Sequence, residues 1–165
     1  MGVCGSIACI ESPKIAREFM RHGAEVTVVM SKSAQKIITP WAFECITGKK
    51  TITEITGVCE HVEYCGEHKG RADFFVISPA TANTLSKVAN GIDDTAVTTF
   101  ATTAIGSGMS VILAPAMHKS MYKNAFVSEN LAKLEKSGIK IVKPEMEEGK
   151  AKLGWMKTVD AVLSF

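Results

Sequence analysis

The chain has 165 residues; 46% of them are hydrophobic, 22% are charged, and the formal net charge at pH 7 is +2. This length suits one globular domain with a sizeable core, so we expect residues 1–165 to form a single domain. The small charge and the dispersed lysines and arginines argue against a nucleic-acid partner. No apolar run approaches the roughly 20 residues that a membrane-spanning helix needs. No charged-then-apolar leader opens the sequence, so we expect no membrane association and a cytoplasmic location.

The cysteines are odd in number and scattered. They are Cys4, Cys9, Cys45, Cys59 and Cys65, and no Cys-x-x-Cys spacing indicates a zinc site or a redox pair. Cys59 and Cys65 flank His61, but these three residues alone would leave a metal short of ligands. We therefore predict no metal site and reduced thiols, as is usual in cytosolic proteins.

The start of the chain alternates between strand and helix patterns. Residues 2–8 resemble the end of a strand and the loop after it. A helix over 12–22 is predicted next, because Ser12 suits an N-cap and Pro13 suits the first helical position. Residues 26–30 are rich in β-branched side chains and predict a strand.

The same alternation continues to the end of the chain. The predicted elements are a short helix over 33–38, a loop or short helix within 57–70, a strand over 74–77, helices over 83–90 and 94–104, a strand over 111–114, a helix over 124–137, a strand over 139–142, a mobile charged segment over 144–154 and a last helix over 158–165. This order predicts an α/β fold with three layers and a mostly parallel sheet.

Small polar residues follow three of the predicted strands, in the segments Gly5-Ser6-Ile7, Ser31-Lys32-Ser33 and Thr81-Ala82-Asn83-Thr84. Ligands of an open parallel sheet bind beyond the carboxyl ends of its strands. Glycine backbone and hydroxyl groups suit a phosphate. Each segment alone could equally be a turn or a helix cap, but three at one edge favour a phosphate-bearing ligand. None forms a Gly-x-Gly-x-x-Gly fingerprint, so a mononucleotide fits better than a dinucleotide.

Three histidines are candidates for proton transfer or anion binding. His61 and His68 lie in the irregular segment 57–70, and a histidine titrates near neutral pH, but spacing identifies neither as catalytic. His118 follows the strand over 111–114 and could hold an anionic group together with Lys119, or face water.

Several ordered motifs together carry a resemblance over essentially the whole chain. They are Gly5-Ser6-Ile7-Ala8, Gly23-Ala24-Glu25-Val26 with Val28-Val29-Met30-Ser31, His61-Val62-Glu63, Pro79 to Thr84, and Pro115 to Tyr122. In this combination the chain resembles the homo-oligomeric flavin-containing cysteine decarboxylases. The resemblance implies a flavodoxin-like (Rossmann-like) fold and FMN as the cofactor.

The resemblance also implies roles for individual residues. The residues that would contact FMN are Gly5, Ser6, Ile7, Ser31, Ser33, Thr81, Ala82, Asn83, Thr84 and Ala116. His61 matches the active-site base, with His68 as its rival, and His118 stands where the family most often has an asparagine that binds the substrate carboxylate. Met121 would complete the substrate site, and Lys150 and Lys152 could grip a phosphate on the substrate or simply lie in a solvated loop.

The implied reaction is decarboxylation of 4′-phospho-N-pantothenoylcysteine to 4′-phosphopantetheine in coenzyme A biosynthesis. In the family, the substrate cysteine is oxidised to a thioaldehyde, carbon dioxide leaves, and the ene-thiolate is then reduced. Many members have a cysteine on a substrate flap for this last step, but the matching stretch here, Glu147 to Gly154, contains none.

Two other functions stay open at this point. One is an FMN-binding electron-transfer protein or flavin reductase of the same superfamily, and the other is a non-catalytic regulatory binding protein. The resemblance further implies a homo-oligomer, a trimer or a dodecamer, with flavin at the subunit interfaces.

Overall fold

A parallel sheet of five strands lies at the centre of the computed structural model, which describes residues 1–147 and 149–164. Its strands are β1 (Gly2–Val3), β2 (Val29–Met30), β3 (Phe74–Ala80), β4 (Ser110–Pro115) and β6 (Lys140–Ile141), in the order β2-β1-β3-β4-β6. Every pairing in this sheet is parallel, so the carboxyl ends of its strands share one edge. The strand order reverses between β1 and β3, which is where such folds open a binding crevice.

A smaller antiparallel sheet stands beyond the carboxyl edge. It joins β5 (Met117–His118), β7 (Glu145–Glu147) and β8 (Lys150–Lys152) in the order β5-β8-β7. Only one residue separates β4 from β5, so the small sheet is held close to the end of β4.

Helices connect the strands. The α-helices are α1 (Ser12–Arg21), α2 (Pro40–Thr47), α3 (Glu60–Cys65), α4 (Ala82–Ala89), α5 (Ala96–Gly106), α6 (Lys119–Tyr122), α7 (Ala125–Lys136) and α8 (Trp155–Leu163), and 3-10 turns cover Ile7–Glu11 and Ala34–Lys36. Among the described residues, none of these helices is long and apolar enough to cross a bilayer.

The core lies on both faces of the parallel sheet. Phe75 and Ile77 of β3 belong to a buried cluster that includes residues of α4, α5 and α7. Val76, between them, belongs to a second cluster with residues of α1, α2 and α8. Since successive side chains of a strand point to opposite faces, this division gives three layers. The prediction of a three-layer, mostly parallel α/β fold is confirmed.

Helix α1 begins differently from the prediction. Pro13 occupies its first turn as expected, but the N-cap is Glu11, which makes no capping hydrogen bond with its side chain. Ser12 is fully buried, and its hydroxyl donates to the carbonyl of Ser78 on β3 at 2.9 Å. The serine therefore fastens α1 to the sheet instead of capping the helix.

Other element boundaries also differ from the predictions. Helix α2 lies in a stretch for which no element is predicted, and Pro40 stands in its first turn. The segment 144–154, predicted only as charged and mobile, contains the hairpin of the paired strands β7 and β8. Strands β2 and β6 are shorter than predicted, and α8 begins at Trp155. The predicted end of that helix, Phe165, lies outside the described residues.

Ser12→Ala is expected to lower the free energy of unfolding by about 1–2 kcal/mol, because it removes the buried donor to the Ser78 carbonyl. Urea unfolding measures the change. Ser128→Ala is the matched control, since Ser128 lies exposed on helix α7 and alanine favours a helix. Equal stability of the two variants would contradict the role assigned to Ser12.

Candidate functional site

The loops after β1 and β2 meet at the carboxyl edge. A Cβ atom on Gly5 would lie 2.3 Å from the Cβ of Ser33 and 2.9 Å from its carbonyl carbon. Real side chains do not approach backbone so closely, so only glycine fits here. The Ser31 N–H donates to the Val3 carbonyl at 3.0 Å and holds the second loop beside β1. Two of the predicted cofactor segments are therefore in direct contact.

The hydroxyl groups of these two loops differ in availability. Ser6 Oγ accepts a weak 3.4 Å bond from the Ala8 N–H at the start of the first 3-10 turn, and Ser31 Oγ accepts from the Ala34 N–H at 3.2 Å. Ser33 is exposed, and its side chain makes no capping bond. Ile7 is 71% exposed. Ser33 thus presents the freest hydroxyl of the pair of loops.

The loop after β3 directs two of its hydroxyls inward. Thr81 caps α4 by accepting from the Thr84 N–H at 3.2 Å, and its hydroxyl donates to Thr84 Oγ1 at 3.1 Å. Thr84 is buried and donates in turn to the sulfur of Cys4 at 3.2 Å. In this segment the Asn83 side chain is exposed, and the N–H groups of Ala82 and Asn83 are the ones at the start of α4 that have no partner within the helix.

Burial dominates the chemistry of Cys4. It raises the pKa of the Cys4 thiol to about 11, although the hydrogen bond from Thr84 opposes the shift. The thiol therefore stays protonated at neutral pH and is no nucleophile. Cys4 directly precedes Gly5 and joins the β1 loop to α4, so it packs beneath the edge as a structural group.

The loop after β4 closes the other side of this edge. The Ala116 N–H donates to the Ala80 carbonyl at 3.1 Å, which sets Ala116 beside the β3 loop. His118 follows at the end of β5 and is exposed, as is Met121 on α6. The Ser120 N–H donates to His118 Nδ1 at 3.3 Å, and the Ser120 hydroxyl lies 2.7 Å from the same nitrogen. Because Nδ1 accepts from an amide, the neutral ring carries its proton on Nε2.

The two candidate bases have different surroundings. His61 is half-buried on α3, and its buried Nδ1 has no hydrogen-bond partner among the described residues. His68 is exposed, and its ring nitrogens lie 2.8–3.1 Å from the carbonyls of Glu63, Val62 and Lys69. Those carbonyls, Lys69 first, raise the pKa of His68. His68 therefore acts as a cap for the end of α3.

The surroundings of His61 are set by helix α3. Helix α3 packs against α5, where the Tyr64 and Phe100 rings stack with centroids 6.3 Å apart. No hydrogen bond among the described residues joins His61 to Gly5, Ser33 or Thr81. Hydrogen bonds and close contacts thus join the loops after β1, β2, β3 and β4 to one another, and none of those described reaches His61.

A cavity of about 590 Å³ lies at the opposite, amino edge of the sheet. Its lining mixes charged groups, including Glu25, Lys49, Arg71 and Asp73, and contains none of the predicted site residues. The described residues hold no group of three or more His, Cys, Asp or Glu side chains placed to bind a metal ion.

Two residues that matter for this edge were not identified from the sequence. Cys4 supports the Thr84 hydroxyl, and Ser12 binds the β3 carbonyl at Ser78. Cys4 could have been noticed, since it ends a buried strand immediately before Gly5. Nothing local distinguishes Ser12 from a helix cap, because its partner is 66 residues away.

Comparison with known proteins identifies the family. The family model described as Flavoprotein matches residues 1–165. The chain belongs to the Flavoprotein family. The fold agrees with a solved structure of SpaF, one of the FMN-dependent cysteine decarboxylases, at a TM-score of 0.79 and 28% identity, covering 98% of this chain and 94% of SpaF. The expectation of a flavodoxin-like fold is confirmed.

Two curated relatives carry names that describe activities. A coenzyme A biosynthesis bifunctional protein CoaBC of Thermococcus kodakarensis is 52% identical over 159 residues, 96% of this chain and 39% of that protein. A probable phosphopantothenoylcysteine decarboxylase of Streptococcus mutans is 29% identical over 150 residues, 88% of this chain and 81% of that protein. This Flavoprotein-family chain therefore spans about two fifths of the archaeal relative but most of the streptococcal one.

Gly5→Ala is expected to lower the free energy of unfolding by about 1–3 kcal/mol, because the new methyl overlaps the backbone of Ser33. Chemical denaturation measures the loss. Gly57→Ala is the control, since a Cβ there meets nothing within 4 Å. A Gly5 variant as stable as the Gly57 variant would show that the two loops separate at little cost.

Alkaline pH is expected to destabilise the fold through Cys4. In the unfolded chain the thiol ionises from its ordinary pKa of 9.0, whereas in the folded chain it ionises only near about 11. The protonated thiol's contribution is complete below pH 9 and is lost between pH 9 and 11, by up to about 3 kcal/mol. Burial raises the pKa of Cys65 to about 11 as well, so that thiol adds a similar loss. Cys4→Ala is therefore expected to halve the combined loss of stability from the two thiols. Unfolding free energies at pH 8 and pH 10.5 test it, and an unchanged pH dependence in the variant would contradict it.

Proposed function

We propose that this chain binds FMN at the carboxyl edge of its sheet and decarboxylates 4′-phospho-N-pantothenoylcysteine to 4′-phosphopantetheine. The observation that carries the proposal is the convergence of the strand-end loops around Gly5, Ser33 and Thr81 in a member of the Flavoprotein family. The names of the two curated relatives support the reaction, and the name of SpaF supports the cofactor.

The chemistry of this edge fits FMN. The bare Gly5 backbone lets a phosphate approach, and the Ala82 and Asn83 N–H groups at the start of α4 lack intrahelical partners. Ser6, Ser33 and Asn83 add side-chain hydrogen-bonding groups. Ile7 and Ala116 offer small or apolar contacts for a ring. We therefore assign FMN binding to the predicted set Gly5, Ser6, Ile7, Ser31, Ser33, Thr81, Ala82, Asn83, Thr84 and Ala116, with Thr81 and Thr84 acting by shaping the loop.

FMN, when bound, supplies the electron acceptor that the oxidation of the substrate cysteine requires. The chain's residues bind the substrate and move its protons. We assign to His61 the acceptance of the substrate thiol proton, because a neutral imidazole suits that transfer and its Nδ1 has no described partner. His118 would donate from Nε2 to an anionic substrate group, and Met121, Lys150 and Lys152 complete the proposed substrate site.

A second copy of the chain would bring His61 to the edge. Within one protomer His61 lies on α3, which packs against α5, and no described hydrogen bond joins it to Gly5 or Ser33. Exposed apolar side chains, Ile7 and Trp41 among them, lie near the loops after β1 and β2. We propose a homo-oligomer, a trimer or a dodecamer, in which His61 of one protomer serves the loops of another. We also propose that residues 1–165 act as one FMN-binding domain and that the protein works in the cytoplasm.

One observation favours a different flavin function. The segment from Glu147 to Gly154, where many family members have a flap cysteine, contains none, so the last reduction must use another proton source. An FMN-binding electron-transfer protein or flavin reductase would need no such group and is the second candidate.

His61→Asn is expected to lower the turnover number by about 10²–10⁴-fold, the usual contribution of a positioned base. The assay is anaerobic incubation of the FMN-loaded protein with 4′-phospho-N-pantothenoylcysteine, with carbon dioxide, product mass and flavin absorbance recorded together. Flavin content is expected to stay at the wild-type level, because His61 is not among the assigned cofactor contacts.

His68→Asn is the matched control and is expected to keep turnover, since His68 caps α3 through backbone carbonyls. The reverse pattern, with activity lost only in the His68 variant, would transfer the base role to His68. Wild-type protein that accepts electrons on its flavin but releases no carbon dioxide would favour the electron-transfer function.

A further inference from the structure

The pairing of β5 with β8 sets His118 directly opposite Lys150. The Lys119 N–H donates to the Gly149 carbonyl at 2.9 Å, just outside this pair. Because this bond joins the next pair of residues along the ladder, His118 and Lys150 form a non-hydrogen-bonded pair. Opposed side chains come closest in such a pair, with Cβ atoms about 4.5–5.5 Å apart. The two side chains share the exposed face of the small sheet, whereas Ala151 and Met117, one position along, are buried.

Both members of the pair have a hydrogen-bond donor to offer. His118 Nδ1 is occupied by Ser120, so its Nε2–H is the free donor. Lys150 is exposed and forms no ion pair with another described side chain; on its other side the register sets it opposite Glu147. An N–H and an ammonium this close can hold the two oxygens of one carboxylate with charge-assisted hydrogen bonds.

Lys152 is placed differently. The register sets it opposite Glu145, which also forms a 3.1 Å ion pair with Lys157. The two lysines of β8 lie on the same face of the strand, but Lys150 is the one that the register sets directly opposite His118.

The position of the pair decides which anionic group it would take. His118 is two residues beyond Ala116, whose N–H is bonded to Ala80 beside Thr81. The pair consequently lies next to the loops assigned to the cofactor, where the reacting end of the substrate must sit. The substrate's phosphate lies at the far end of a long molecule, and two donors this close together cannot reach both ends.

We propose that Lys150, on the hairpin, is a specificity-determining residue that completes a two-point clamp for the substrate carboxylate with His118, the position to which the resemblance already assigns that group. This inference rests on the proposed function. The clamp holds the carboxylate before it leaves, so its contribution belongs to substrate binding and not to the step that releases carbon dioxide.

The test compares Lys150→Met, Lys150→Arg and the control Lys123→Met, an exposed lysine at the end of α6. Lys150→Met is expected to raise KM for 4′-phospho-N-pantothenoylcysteine by about tenfold to a hundredfold without lowering kcat, as for a lost charge-assisted contact. Lys150→Arg keeps most of the affinity, and Lys123→Met resembles wild type. Circular dichroism checks that the variants fold alike.

Binding of 4′-phosphopantetheine, which keeps the phosphate but lacks the carboxylate, identifies the group that is held. The clamp predicts no change in its Kd in Lys150→Met. An equal loss of affinity for both compounds would assign Lys150 to the phosphate and overturn the proposal. A fall in kcat at constant KM, or a larger KM effect in Lys152→Met, would overturn it as well.

A double-mutant cycle tests the pairing itself. Because the two donors hold one carboxylate, His118→Ala and Lys150→Met together are expected to cost less than the product of their separate effects, and additive effects would contradict a shared site. If wild-type protein releases no carbon dioxide, the proposed function fails, but calorimetry still decides the clamp. The clamp then predicts that wild type binds the carboxylate-bearing compound more tightly than 4′-phosphopantetheine and that Lys150→Met loses this preference. Equal affinities in wild type would overturn the clamp.

Discussion

The close approach of Gly5 to Ser33 is the constraint on which the carboxyl edge depends. Parallel strands lie about 4.8 Å apart, so loops that leave two neighbouring strands on the same side compete for space. The missing side chain at Gly5 resolves this competition and lets both loops turn away as 3-10 segments. The β3 loop is tied to the same point through Cys4, because its sulfur accepts the Thr84 hydroxyl. A single small residue thus sets the relative placement of three loops.

The parts of the fold that the sequence predicts well are those with long, doubly buried strands. Residues 74–77 and 111–114 are continuous apolar runs, and both prove to be central strands. The hairpin of β7 and β8 could not be predicted in this way. Its residues are mostly charged, and β8 pairs with Met117–His118, a contact across about thirty residues that no local periodicity reveals. Helix α2 was missed for a different reason, since Pro40 can mark either a break or a first turn.

The candidate site divides along a similar line. The loops that carry it could be located from their positions after predicted strands, because a parallel sheet aligns its carboxyl ends. The roles of single side chains could not be read from residue type. In the sequence, Thr81 and Thr84 resemble hydroxyl groups that are free to donate to a phosphate. In the structure, the Thr81 hydroxyl donates to Thr84 and the Thr84 hydroxyl donates to the sulfur of Cys4. His68 and His61 are equivalent candidate bases in the sequence, whereas the structure shows that backbone carbonyls surround the ring of His68.

The pairing of the hairpin with β5 links the local folding of the hairpin to the binding of a ligand between His118 and Lys150. The bond from Lys119 to Gly149 and the short ladder of β5 with β8 hold the hairpin in place. Pairing of the hairpin with β5 and binding of a ligand between His118 and Lys150 are therefore thermodynamically linked. A ligand that binds only the paired strands stabilises their pairing by mass action. The amides of β8 would then exchange with solvent more slowly as ligand concentration rises, while those of the large parallel sheet, already protected by the core, would change little.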